Sequence, residues 1–106
     1  MKLVLVIYST DPETVSNALR LGSYALQEKD QVSVFLLAKG VEIDALTGEP
    51  FKISEQMTSF LENGGEIMAC GTCLKLRHKD SSELCPLSTM KDLYTLVRDS
   101  DRVLTF

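Results

Sequence analysis

The sequence predicts a three-layer α/β/α sandwich on a mainly parallel sheet of four or five strands, and three observations carry that expectation. Two aliphatic runs, Lys2 to Tyr8 and Val32 to Leu37, have the unbroken pattern of strands buried on both faces. Between them, Val15, Ala18, Leu19, Gly22, Ala25 and Leu26 recur at helical spacing. Strand, helix and strand within about 35 residues form a βαβ unit, whose strands are parallel and whose crossover is right-handed. Shorter strand and helix signals then alternate to the end of the chain.

Taken in order, the first strand stops at Ser9 and Thr10. Asp11 is placed to cap the next helix, with Pro12 at its first position; Thr10 and Glu13 offer a capping box one register earlier. The helix runs to about Glu28, and a turn at Asp30 and Gln31 leads into the second strand. From Ala38 to Ile53 the pattern weakens around Lys39-Gly40 and Gly48-Glu49-Pro50, leaving one short helical turn at Val41 to Leu46. A connection this long is often a functional loop.

Ser54 is a cap for a short helix with Met57, Phe60 and Leu61 facing inward, and Asn63-Gly64-Gly65 ends it. Glu66 to Ala69 is a third strand, with Cys70 at its carboxyl end. Gly71 to about Arg77 is helical and Asp80 to Pro86 is loop. Ser88 caps a last helix with Met90, Leu93, Leu96 and Val97 on its apolar side. Arg102 to Phe106 is the closing strand.

The chain has 106 residues, a net charge of −4, 44% apolar residues and 25% charged residues. These values fit one domain over 1–106, burying roughly 65% of its unfolded surface, and argue against disorder. No apolar run approaches the ~18 residues of a membrane span. Met1 to Ser9 has neither the flanks nor the cleavage site of a signal peptide. The acidic balance lacks the basic cluster that a nucleic acid requires.

The three cysteines, Cys70, Cys73 and Cys85, are an odd set within one short stretch, unlike a secreted disulfide scaffold. A reducing, cytoplasmic setting is expected, with redox, sulfur or metal chemistry. In a parallel sheet, sites gather beyond the carboxyl ends of the strands. Tyr8 to Asp11, Leu37 to Gly40 and Ala69 to Cys73 should therefore meet at one edge.

Cys70 falls between a strand end and a helix start, where unpaired N–H groups favour negative charge. Its thiol is expected below the ordinary ~8.5, with Lys75 and Arg77 adding positive potential if they face it. Cys73, one helical turn on, is placed to form a disulfide with Cys70 or to resolve a persulfide on it.

Other readings stand beside this one. Any of the three cysteines can be a small buried hydrophobe, Cys85 before Pro86 most of all. Cys70, Cys73, His78 and Cys85 have the C-x2-C-x4-H-x6-C spacing of zinc-type ligands, but the pattern lacks a paired knuckle and the core is large enough to fold without metal. His78 reads as solvent-facing. Ser9-Thr10-Asp11-Pro12 lacks the glycines of a phosphate loop and reads as a cap. Glu42, Asp44 and Glu49 read as solvated loop carboxylates, and Tyr8 as a border, core or edge residue.

The whole chain resembles the DsrE/DsrF-like family of small sulfur-handling proteins. The opening strand, Ser9 to Thr14, Phe35 to Glu42 and above all Ala69-Cys70-Gly71-Thr72-Cys73-Leu74-Lys75 carry the resemblance, together with Ser82 to Pro86, Ser88 to Leu93 and Val103 to Phe106. It implies an α/β/α fold, trimers or hexamers, and a cysteine that carries sulfur as a persulfide between donor and acceptor proteins; Cys70 matches that cysteine.

The expected function is therefore a cytoplasmic sulfur carrier with sulfurtransferase-like chemistry on Cys70 and Cys73, needing no cofactor and no resident metal. The alternatives are a Cys70-Cys73 dithiol redox or regulatory module, and a metal-binding or interaction protein without catalysis.

Overall fold

Nine regular elements and one 3-10 segment are described in a computed structural model that covers residues 1–46, 48, 50–77 and 87–106. Strand β1 (Lys2–Ile7) leads into helix α1 (Pro12–Gln27), then β2 (Gln31–Leu36) and the 3-10 segment (Ala38–Ala45). Helix α2 (Ile53–Glu62), β3 (Glu66–Cys70) and the short α3 (Gly71–Leu76) follow. The chain closes with β4 (Leu87–Ser88), α4 (Met90–Asp99) and β5 (Arg102–Thr105).

Local chemistry sets most of these bounds. Asp11 caps α1 by accepting the Thr14 N–H at 2.9 Å, with Pro12 at the first helical position. That contact holds the Asp11 carboxyl below its ordinary pKa. The Thr10 box is not used. Gly64, at φ +97°, supplies the left-handed turn that ends α2.

Two expectations at the far end are corrected. Ser88 is not the cap of α4: it pairs with Cys70 in β4, and Thr89 caps the helix. Thr89 and Asp92 exchange hydrogen bonds at 2.8 and 3.3 Å in a capping box, which the Thr-x-x-Asp spacing contains. On α4, Leu93 and Leu96 pack on the core, whereas Met90 and Val97 are exposed.

All five strands are parallel, in the order β4-β3-β2-β1-β5. The steps from β1 to β4 run in one direction, so right-handed crossovers put α1 and α2 on one face. The return to β5 sends α4 to the other. Leu3, Leu5 and Ile7 alternate with Val4 and Val6 along β1, as the two-residue strand period requires. Leu5 contacts the α1 side beside Gly22. Val4, Ser33 and Glu66 line a cleft with Thr95 and Leu96 of α4.

Both faces of the central strands are covered, so Leu5, Ile7, Val34, Phe35 and Leu36 are fully buried. Phe60 and Met57 of α2 complete the core, with Leu61 partly buried against it. No helix among the described residues is long and apolar enough to cross a membrane.

Candidate thiol site

The common strand direction brings the carboxyl ends of β1, β2 and β3 to one edge, as expected. The Leu37 N–H donates to the Ile7 carbonyl at 2.9 Å. Gly40 sits directly on the same peptide: a Cβ there would lie 1.9 Å from the Ile7 oxygen. Only glycine permits this approach, and it fixes the path of the chain as it leaves β2. Ala38, two residues earlier, is held at φ +52°, a conformation that costs a non-glycine residue on the order of 1–3 kcal/mol.

From this turn the Ala38 N–H donates to Cys73 Sγ at 3.2 Å. Cys73 is half-buried and carries a free thiol. Its carbonyl accepts from Arg77 Nη1 at 3.1 Å, while Arg77 Nε donates to Glu42 Oε2 at 3.0 Å. Cys73 is thus tied to the 3-10 segment at both its sulfur and its backbone. Arg77 acts as a clamp between α3 and Glu42. Glu42 is consequently an ion-pair partner, not simply the solvated loop carboxylate expected of it.

Cys70 occupies the predicted junction. It is the last residue of β3 and the N-cap of α3, with an extended backbone at φ −62° and ψ 117°. Its surroundings differ from the expectation. Only 3% of the residue is exposed, and it belongs to the apolar core with Ala69 and Leu74. Burial pushes the thiol pKa up, not down. The amides of Cys73 and Thr72 favour the thiolate but do not offset desolvation, and the nearby Cys73 thiol reinforces the rise. The two sulfurs are close enough to interact, and both are free.

Tyr8 stands at the same edge and is exposed, with its backbone N–H on the Phe106 carbonyl. His78, Glu49 and Cys85 lie outside the described residues, so of the zinc-type spacing only Cys70 and Cys73 have a described position. A broad groove of about 810 Å³ lies elsewhere, between α1 and α2, lined in part by Arg20, Tyr24 and Gln56; neither cysteine borders it.

Both cysteines stand where the strand-to-helix pattern puts them, Cys70 at the end of β3 and Cys73 in α3. The Ala38 amide that meets Cys73 carries no side-chain signature in the sequence. Gly40, three residues after a buried strand, was the available signal for a close backbone approach.

The comparisons with known proteins agree with this architecture. Residues 1–106 match the sequence model of the DsrE/DsrF-like family. An uncharacterized protein of Methanocaldococcus jannaschii is 33% identical, with the whole of both chains covered. An uncharacterized protein of Methanopyrus kandleri is 34% identical over 98% of this chain and 93% of its own. The crystal structure of the ychN protein from E. coli superposes with a TM-score of 0.81 at 23% identity, covering 100% of both chains, and so shares the fold.

Proposed function

Given that the chain belongs to the DsrE/DsrF-like family, we propose that it is a carrier of sulfane sulfur in intracellular sulfur metabolism, holding that sulfur as a persulfide on Cys70. One observation supports the reading most: two free thiols three residues apart at the carboxyl edge of a parallel sheet, one on a buried residue and one on a half-buried residue. A thiol relay needs a second sulfur within reach of the first, and Cys73 supplies it. The protein receives sulfur from a donor protein and yields it to an acceptor protein, as a homo-oligomer in the cytoplasm.

Incubation with a low-molecular-weight persulfide tests this. The intact mass should rise by ~32 Da per sulfur, reversibly with dithiothreitol. An unchanged mass, or an adduct that survives in the Cys70→Ser/Cys73→Ser double variant, counts against it.

The proximity of the two thiols also favours a second reading, a Cys70-Cys73 dithiol couple. Differential alkylation across a redox titration separates the two, because a carrier takes up sulfur mass without requiring a two-electron transition.

A further inference from the structure

We infer that sulfur reaches Cys70 indirectly: Cys73 is the thiol that meets the donor, and it hands the sulfur inward to the shielded Cys70. This deepens the persulfide reading and rests on it.

The argument starts from access. A donor persulfide must bring its outer sulfur into line with the attacking thiol, and a sulfur on a residue only 3% exposed offers no such approach. Cys73 is the more open of the two residues. Its side chain is half-buried, and its sulfur is steadied by the Ala38 N–H at 3.2 Å, on a turn that Gly40 pins against Ile7. Its backbone is held from the other side by Arg77 through the Cys73 carbonyl. The accessible thiol is therefore also the one whose position is specified by three separate segments, β1, the 3-10 segment and α3. Cys70 stands three residues back, at the N-cap of the same helix, where side chains three apart are neighbours, and it is the more deeply buried of the two.

The chemistry balances without an added oxidant or reductant. The Cys73 thiolate attacks the outer sulfur of the donor R–S–SH. A Cys73–S–SH bond forms, the donor S–S bond breaks, and R–S⁻ departs. The Cys73 persulfide keeps its proton on the outer sulfur, and the Cys70 thiol gives its own proton to the departing R–S⁻. The resulting Cys70 thiolate attacks the outer sulfur, forming Cys70–S–SH and releasing Cys73–S⁻. Each step makes one S–S bond and breaks one, so the sulfane sulfur keeps its oxidation state.

The arrangement separates two tasks that conflict on one atom. A receiving thiol must be reachable, whereas a stored persulfide must be kept from stray thiols that would discharge it. Dividing them between Cys73 and Cys70 satisfies both.

The test is rapid-quench labelling of the full chain. The protein is mixed with glutathione persulfide, alkylated at intervals, and the added sulfur located by peptide mass. In the wild type, the ~32 Da increment should appear first on Cys73 and later on Cys70. Cys73→Ser should slow loading of Cys70 about tenfold or more, because only the shielded thiol remains. Cys70→Ser should still take up sulfur and keep it on Cys73. Cys70→Ala, which leaves no polar atom in the core, serves if the serine variant is unstable. Circular dichroism confirms that each variant is folded.

Loading of Cys70 at the wild-type rate in folded Cys73→Ser overturns the inward transfer while leaving the carrier reading intact. So does a Cys70–Cys73 disulfide formed with release of sulfide, since that is attack on the inner sulfur. Failure of the wild type to take up any sulfur overturns both.

Discussion

The Ala38 N–H points at Cys73 Sγ across 3.2 Å, joining the turn after β2 to the helix after β3. This contact defines the candidate site more than either cysteine alone does, because it connects a strained backbone turn to a thiol sulfur. Ala38 holds its left-handed conformation between Leu37, bonded to the Ile7 carbonyl, and Gly40, packed on the same peptide. Ala38→Gly should therefore retain or slightly raise stability. Ala38→Val, which places a β-branched side chain at φ +52°, should cost about 1–3 kcal/mol in a urea titration. Equal stability of the two variants would remove strain from the account.

Gly40 makes a sharper demand. In Gly40→Ala the new methyl meets a carbonyl oxygen at 1.9 Å, and the neighbour is backbone and cannot swing aside. The expected cost is on the order of 3 kcal/mol, with the denaturation midpoint lowered accordingly. Alkylation of Cys73 should change with it, since the Ala38 amide shifts too.

The two thiols should differ in reactivity. At pH 7.5 iodoacetamide should modify Cys73 well before Cys70. The Cys70 rate should go on rising with pH beyond the ordinary thiol value of ~8.5, because burial holds its pKa up. Peptide-resolved labelling between pH 7 and about 10.5 reads both rates. Equal rates at the lower pH would show that Cys70 is more accessible than its 3% exposure indicates.

The same shift has a consequence for stability. The folded protein holds the Cys70 proton more tightly than the unfolded chain does. The associated stabilisation is fully present below the unfolded thiol value of ~8.5 and is lost as pH rises through the higher folded value. Denaturation midpoints should fall over that window, and the fall should be shallower in Cys70→Ala. Parallel profiles for the two proteins would contradict the assignment.

Arg77 is a positioning residue for α3. Its ion pair with Glu42 is partly exposed, at 26% and 41% for the two side chains, so its loss should cost no more than about 1 kcal/mol. Arg77→Met should nonetheless speed amide hydrogen exchange across residues 72–76 by releasing the Cys73 carbonyl. Unchanged exchange there would mean that α3 is held by Leu74 in the core alone.

Much of this molecule could be read without coordinates, and the legible parts share a cause. β1, α1 and β2 rest on local patterns: an aliphatic run, a 3.6-residue stripe, an Asp-Pro cap. Each of these is decided by residues within a few positions of one another. Both cysteines were placed at a strand-to-helix junction on the same grounds, and the meeting of three loop segments followed from strands running parallel.

The assembled chain decided the rest. The two-residue β4 has too few residues to leave a pattern, and its pairing with Cys70 depends on a neighbour 18 positions away. The Arg77–Glu42 clamp and the Ala38–Cys73 contact each span 35 positions. The Cys70 pKa lies above the sequence expectation for the same reason. The amides that favour its thiolate come from the next few residues and are visible in the order of amino acids. The desolvation that outweighs them comes from strands and helices folded over it from elsewhere in the chain, and burial exists only once those segments have come together.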